Sequence, residues 1–196
     1  MVGDLAQGIH SYRSLTDWAP VKKLFPRASF KTLQKSYRTT IEIMEVANSI
    51  LSKMDEELPL VEPVVRHGDA PTFVESKRLD FQQIKAIYDE IKAMGHKSVA
   101  LICKTTEEAN SMNNALEKYG LDVQQLTEVT TINQSKLLIV PSHLAKGLEF
   151  DAVIITALET PFYDTVIDRK LLYVALTRAM HLLYLVGPSR EAFLLK

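Results

Sequence analysis

Cysteine, tryptophan and glycine are scarce in this chain of 196 residues, which has one Cys, one Trp and seven Gly. A lone thiol, Cys103, allows no disulfide within one chain, so the fold must rest on a packed core, and a reducing, cytoplasmic compartment is expected. The few glycines never fall into a phosphate-cradling pattern: neither G-x-x-x-x-G-K-[ST] nor G-x-G-x-x-G occurs. Gly95-His96-Lys97-Ser98 has the ingredients but precedes an apolar run, where a phosphate loop should follow one. No nucleophile elbow is present to start a Ser-His-Asp hydrolase. The five histidines, at 10, 67, 96, 143 and 181, have no metal-ligand spacing, so no metal site is expected. No apolar stretch approaches the ~20 residues that span a bilayer, and the first residues lack the basic start and apolar core of a signal peptide. Excess charge is missing too. With 23 basic and 24 acidic residues, any contact with nucleic acid must be local or shared with another domain.

What the chain does have is apolar residue in quantity, 46% of the total, arranged in short runs that alternate with amphipathic stretches. Strands are expected at Phe30–Gln34, Phe73–Ser76, Ser98–Lys104, Val123–Leu126, Lys136–Pro141, Ala152–Thr156 and Leu182–Gly187. Helices are expected at Thr39–Lys53, opened by a capping box from Thr39 to Glu42, and at Asp80–Met94 and Thr106–Tyr119, the last ending at Gly120. Leu137-Leu138-Ile139-Val140 and Val153-Ile154-Ile155 are continuously apolar, as suits strands covered on both faces. The expected fold is a three-layer α/β domain with a mainly parallel sheet. Residues 54–72 form the one long irregular stretch. Cys103, inside an apolar run, reads as a buried strand position rather than a reactive thiol. Ligands of open α/β sheets bind at the carboxyl ends of strands. The loop from Pro141 to Phe150 and the start of the Thr39 helix, with Arg38 just before it, are therefore the places to look.

The most informative segment is Leu171-Leu172-Tyr173-Val174-Ala175-Leu176-Thr177-Arg178-Ala179. Its apolar residues recur at helical spacing, and Arg178 falls among them on the face that should be buried. A guanidinium keeps its charge, and a buried charge needs a partner. Two readings stand open: an internal salt bridge to one of the chain's carboxylates, or an anionic group arriving from outside.

Four collinear segments then resemble conserved motifs of superfamily 1 DNA helicases of the UvrD/Rep type. Gly3-Asp4-Leu5-Ala6-Gln7-Gly8-Ile9-His10-Ser11-Tyr12-Arg13 is similar to motif III, and Ser36-Tyr37-Arg38-Thr39 running into Ala47-Asn48 is similar to motif IV. Ser142-His143-Leu144-Ala145-Lys146-Gly147-Leu148-Glu149-Phe150-Asp151 is similar to motif V, and Tyr173–Ala179 to motif VI. The resemblance implies the RecA-like fold of the P-loop NTPases, in a domain without its own Walker A. Residues 1–27 would be the motif III segment and connector from a preceding motor domain, and 28–196 the C-terminal RecA-like domain. The chain thus reads as a piece of a longer polypeptide. The first segment and the spacing of about 90 residues between Asn48 and Ser142 look most like the HelD/helicase IV branch.

Roles follow from the resemblance by position. Gln7 matches the glutamine that senses the γ-phosphate of ATP, and Arg38 and Arg178 the two arginines that reach across the interdomain cleft to it. A forked guanidinium can stabilise charge on the transferred phosphoryl oxygens bidentately. Glu149 matches the glutamate on the nucleotide ribose, with Gly147 keeping the backbone close. Tyr12 stands at the base-stacking position, and Arg13, Ser142 and His143 would face the backbone of single-stranded DNA. His10 and Tyr12 depart from the tyrosine and tryptophan usual in UvrD/Rep. A loop-stabilising hydrogen bond is the alternative for Gln7 and Glu149, and packing surface for Tyr12 and His143. ATP with Mg is the implied cofactor, the Mg ligands lying in the preceding domain. The implied partners are that domain and single-stranded DNA, with RNA polymerase as the client in a HelD-like alternative and no membrane. A non-enzymatic binding module of the same fold is a further alternative. The 196 residues alone are expected to be inactive as an ATPase.

Overall fold

The computed structural model describes residues 4–9, 18–29, 31, 35–52, 60–63, 66–128, 131–133 and 135–196. Six strands form one sheet in the order β3-β8-β7-β4-β6-β5, every neighbouring pair parallel. They are β3 (Thr72–Glu75), β4 (Val99–Cys103), β5 (Val123–Gln125), β6 (Leu137–Pro141), β7 (Phe150–Thr156) and β8 (Ala179–Gly187). The expected α/β, RecA-like layering holds. A separate pair, β1 (Lys35–Ser36) with β2 (Glu62–Pro63), falls partly in the stretch expected to be irregular. It is held by Asn48, whose side-chain amide donates to the Val61 carbonyl at 2.8 Å and accepts from the Val61 N–H at 3.3 Å. The strand expected at Phe30–Gln34 lies, but for Lys31, outside the described residues.

The continuous apolar runs are explained by two cores, one on each face of the sheet. Ala100, Ile102, Leu138, Val140, Val153 and Ile155 point to the face covered by α2 (Ile41–Leu51) and α5 (Val166–Leu176). Their alternates Val99, Leu101, Leu137, Ile139, Ala152 and Ile154 point to the face covered by α3 (Phe81–Ala93) and α4 (Thr106–Lys118). Since strand side chains alternate, a strand buried on both faces has no polar position to spare. Each such Leu or Ile contributes about 1.5–3 kcal/mol by leaving water. Among the described residues no helix is long and apolar enough to cross a membrane.

Helix ends follow local chemistry. Asp80 accepts from the Gln82 and Gln83 N–H groups, Thr105 and Glu108 form a capping box, and α4 gives way to Gly120 at φ +88°. For α2 the N-cap is Thr40, one residue later than expected, and its hydroxyl accepts from the Ile43 N–H. Glu42 does not close the box. Its carboxylate instead accepts from the Gly68 N–H at 3.0 Å and meets His67 Nδ1 at 2.9 Å. These bonds hold the Glu42 carboxyl down at about 2. Their contribution is present above the ordinary carboxylate range and is lost as pH falls through that lowered value.

The carboxyl end of the sheet is tied to α5 by a buried ion pair. Lys104, just past β4, meets Asp168 in the first turn of α5 at 2.6 Å, with each side chain 9% exposed. Lys104 also donates to the Pro161 carbonyl at 2.9 Å, and Asp168 accepts from the Tyr163 N–H at 2.7 Å. Breaking such a pair leaves an uncompensated charge indoors. Asp168→Ala should therefore lower unfolding free energy by about 3 kcal/mol in urea denaturation; an unchanged midpoint would contradict this role.

Candidate functional site

Motif V is the path that builds the site. Residues 142–149 leave the carboxyl end of β6 and enter the amino end of β7, so the loop crosses the sheet lengthwise on the face that carries α5. At its start Ser142 is fully buried, and its hydroxyl donates to the Cys103 carbonyl at 2.9 Å, stitching the ends of β4 and β6. This corrects the expectation that Ser142 faces a DNA backbone: a hydroxyl committed to a buried carbonyl has neither exposure nor a free proton for a phosphate. His143 follows, half-buried, in a short 3-10 turn (Ser142–Leu144). Gly147 adopts φ +87°, a conformation that favours glycine, while among the described residues nothing beyond its chain neighbours lies within 4 Å of the Cβ it lacks. Its backbone is needed for the turn, not for close packing. The turn delivers Leu148 and Glu149 to the point where β7 begins.

Arg178 arrives at the same point from the other side. The helix expected over Leu171–Ala179 stops at Leu176, Thr177 is its C-cap, and Ala179 already belongs to β8. Arg178 therefore lies beyond the helix, not on its buried stripe. The Thr177 hydroxyl is within hydrogen-bond reach of the Tyr173 and Val174 carbonyls, at 2.9 and 3.1 Å, and closes the helix end. The Phe150 N–H then draws the Arg178 carbonyl into the sheet at 3.0 Å. Between Phe150 and Ala152 the β7–β8 register slips, so a bulge adjoins Arg178.

The guanidinium of Arg178 is 0% exposed. Nε donates to the Val174 carbonyl at 2.9 Å, Nη1 to the Leu148 carbonyl at 3.1 Å and Nη2 to the Thr177 hydroxyl at 3.1 Å. Among the described residues it has no ion pair. The internal salt bridge, one of the two readings open from the sequence, is thus not formed among the described residues. Burial and the like charge of Arg38 hold its pKa down at about 10, and Glu149, Tyr173 and Asp4 act the other way. Because this base is depressed, the cost of its charge is fully present below that value, hence at neutral pH, and amounts to about 3 kcal/mol.

Arg38 stands beside it, two residues before the Thr40 cap of α2. Its Nη2 meets Glu149 Oε1 at 2.6 Å, with both side chains more than a third exposed, so the pair contributes at most about 1 kcal/mol. Gln7 belongs to a 3-10 turn (Leu5–Gln7) that packs on α5. Its side-chain amide donates to Asp4 at 2.7 Å, and its carbonyl accepts from Lys146 at 3.0 Å. Arg38, Glu149 and Arg178 therefore share one locality, with Asp4 within reach of the Arg178 charge and Gln7 bonded to Asp4. Tyr12 and Arg13 lie outside the described residues.

The locality uses the loop and the Arg38 position named from the sequence, but at the amino end of the sheet and not the expected carboxyl end. Arg178 and Glu149 gather where β7 and β8 start, because the motif V loop spans the sheet and α5 runs back antiparallel to the strands. Sequence reasoning also missed the Leu148 carbonyl and the Thr177 hydroxyl as ligands of Arg178. Threonine directly before an arginine at the end of a helical stripe was the available signal for the second.

What the arrangement offers chemically is a buried cation whose N–H groups meet, among the described residues, only neutral acceptors, next to a second guanidinium. It is suited to an added anion and costs stability without one. Arg178→Met should therefore melt at the same or a higher temperature in calorimetry, since the buried charge goes and the volume is kept. A loss of more than about 1 kcal/mol would mean the arginine is structural.

Comparison with known proteins agrees with this geometry. The family described as UvrD-like helicase C-terminal domain matches residues 136–186, which run from β6 through the motif V loop and α5 to β8. A probable DNA helicase of Mycoplasma pneumoniae is 26% identical over 217 residues, covering 98% of this chain and 39% of the relative. A probable DNA helicase II homolog of Mycoplasma capricolum is 29% identical over 166 residues, covering 80% of this chain and 20% of the relative. The chain thus spans well under half the length of these two relatives. The solved C-terminal domain of a possible DNA helicase from Lactobacillus plantarum WCFS1 superposes with a TM-score of 0.63 at 31% identity, covering 78% of this chain and 87% of that one. With a solved relative matched over nearly its whole length, and the motif-bearing half of the site matched by the family, the chain belongs to the UvrD-like helicase C-terminal domain family.

Proposed function

We propose that this chain is the second motor domain of an ATP-dependent superfamily 1 DNA helicase or translocase. It would complete an ATP site whose phosphate loop belongs to a preceding RecA-like domain. The observation that carries the reading is Arg178, a fully buried guanidinium with three neutral hydrogen-bond partners and, among the described residues, no carboxylate. A guanidinium has five N–H bonds, so some donor capacity is left for an incoming phosphate oxygen. Arg38, paired with Glu149 at the edge of the same locality, supplies the second positive charge.

In this reading the γ-phosphate of ATP, bound with Mg on the preceding domain, docks against Arg178 and Arg38. Gln7 senses it, and Glu149 leaves Arg38 for the ribose. As folded, Arg178 is closed to solvent, so neighbouring side chains must part as the phosphate arrives. That requirement links nucleotide binding to a local rearrangement of the motif V loop. Single-stranded DNA would be gripped by Tyr12, Arg13 and His143, without Ser142. The relatives described are named as DNA helicases, and none is named for RNA polymerase, so movement on DNA is the reading adopted. The HelD/helicase IV assignment rests on the first segment and the motif spacing alone.

The test requires these residues joined to a Walker A-bearing motor domain. There, Arg178→Ala should lower kcat for ATP hydrolysis by about 10³-fold or more while ATP binding persists. Turnover within about tenfold of the unmodified protein would overturn the assignment.

A further inference from the structure

We infer that Thr177 is a positioning residue for Arg178, an inference that rests on the phosphate-binding reading of that arginine. The hydroxyl of Thr177 has a single proton. Its two acceptors, the carbonyls of Tyr173 and Val174, lie 2.9 and 3.1 Å away at the last turn of α5. With the proton committed to the helix end, the oxygen can meet Arg178 only as an acceptor, and Nη2 donates to it at 3.1 Å. The Val174 carbonyl also takes Nε of the same guanidinium at 2.9 Å. Two of the three side-chain nitrogens are therefore fixed by the end of α5, and the third, Nη1, by Leu148 of the motif V loop at 3.1 Å.

Two features make this more than a helix cap. First, Arg178 has left the helix, so nothing in regular backbone geometry sets the direction of its fork. The Thr177 oxygen decides which N–H bonds are used up and which remain for an added oxygen ligand. Second, Leu148 adjoins Glu149, which pairs with Arg38 at 2.6 Å. Thr177 thus stands at one end of a continuous path, through Arg178, Leu148 and Glu149, to Arg38. A valine there would keep the volume and β-branching but remove both the cap and the acceptor, leaving the Arg178 fork held by the Val174 and Leu148 carbonyls alone.

The decisive experiment compares Thr177→Val with Thr177→Ser. On the 196-residue chain, nitrogen-15 NMR reads solvent exchange of the Arg178 Nε–H. In the protein joined to its Walker A-bearing domain, kcat and KM for ATP are read. Thr177→Val should speed the Nε–H exchange by about tenfold or more and lower kcat by about tenfold, the loss that fits a hydrogen bond to a charged group. KM should stay within about twofold, and Thr177→Ser should restore both readings. Wild-type exchange and kcat in Thr177→Val would overturn the inference. So would equal losses in Thr177→Ser, which keeps the hydroxyl. Should the valine variant not fold, Thr177→Ser and Thr177→Ala are compared by the same readings, with loss only in alanine supporting the role and equal behaviour overturning it. If Arg178→Ala turns over ATP normally, the phosphate reading fails by itself, and the exchange measurement still tells whether Thr177 holds the guanidinium.

Discussion

A charged guanidinium held indoors by two carbonyls and a hydroxyl is the constraint around which this domain is arranged. Arg178 has no carboxylate of its own among the described residues, and burial together with Arg38 makes its charge costly. Stability alone would favour an apolar side chain of the same volume. The surrounding structure nevertheless spends three separate groups on it: the last turn of α5, the cap of that helix and the motif V loop. Such expense is rational where the missing counter-charge comes from a second body.

The path of the chain serves the same end. The sheet is parallel and buried on both faces, so each strand runs the same way and every connection must return over one layer or the other. Motif V makes its return with a loop whose turn is set by Gly147 at positive φ. That loop carries Leu148 and Glu149 from the carboxyl end of β6 to the start of β7. The buried pair of Lys104 and Asp168 pins the opposite end of α5 to the sheet. One end of α5 is thus anchored and the other adjoins the arginine.

Much of this was readable from residues. Runs such as Leu137–Val140 announced strands covered on both sides, and Asp80 and Gly120 marked helix ends through local hydrogen bonding that sequence spacing captures. The motif resemblance named Arg38, Glu149 and Arg178 for one nucleotide site and the structure brings them near one another, whereas the Arg38–Glu149 ion pair was not anticipated. Other features were not readable, for identifiable reasons. Arg178 continued the helical spacing of Leu171 and Ala175, yet the Thr177 hydroxyl ended the helix first, and the pull of β7 on the backbone comes from Phe150, distant in sequence. Ser142 had the chemistry of a phosphate contact but was claimed by a carbonyl on another strand. Glu42 had the spacing of a capping box but found better donors at His67 and Gly68. The side of the sheet on which the site gathers depends on how far one loop travels, and no periodicity encodes that.

The central claim is that Arg178 awaits an anion from another domain, and one structure determination tests it directly. These residues, joined to a Walker A-bearing domain, would be crystallised with ADP, Mg and beryllium fluoride as a γ-phosphate mimic. The account predicts at least one Arg178 Nη nitrogen within hydrogen-bond distance, about 3 Å, of the fluoride group. A guanidinium still bonded only to Val174, Leu148 and Thr177, and out of reach of the fluoride in a closed cleft, would contradict it.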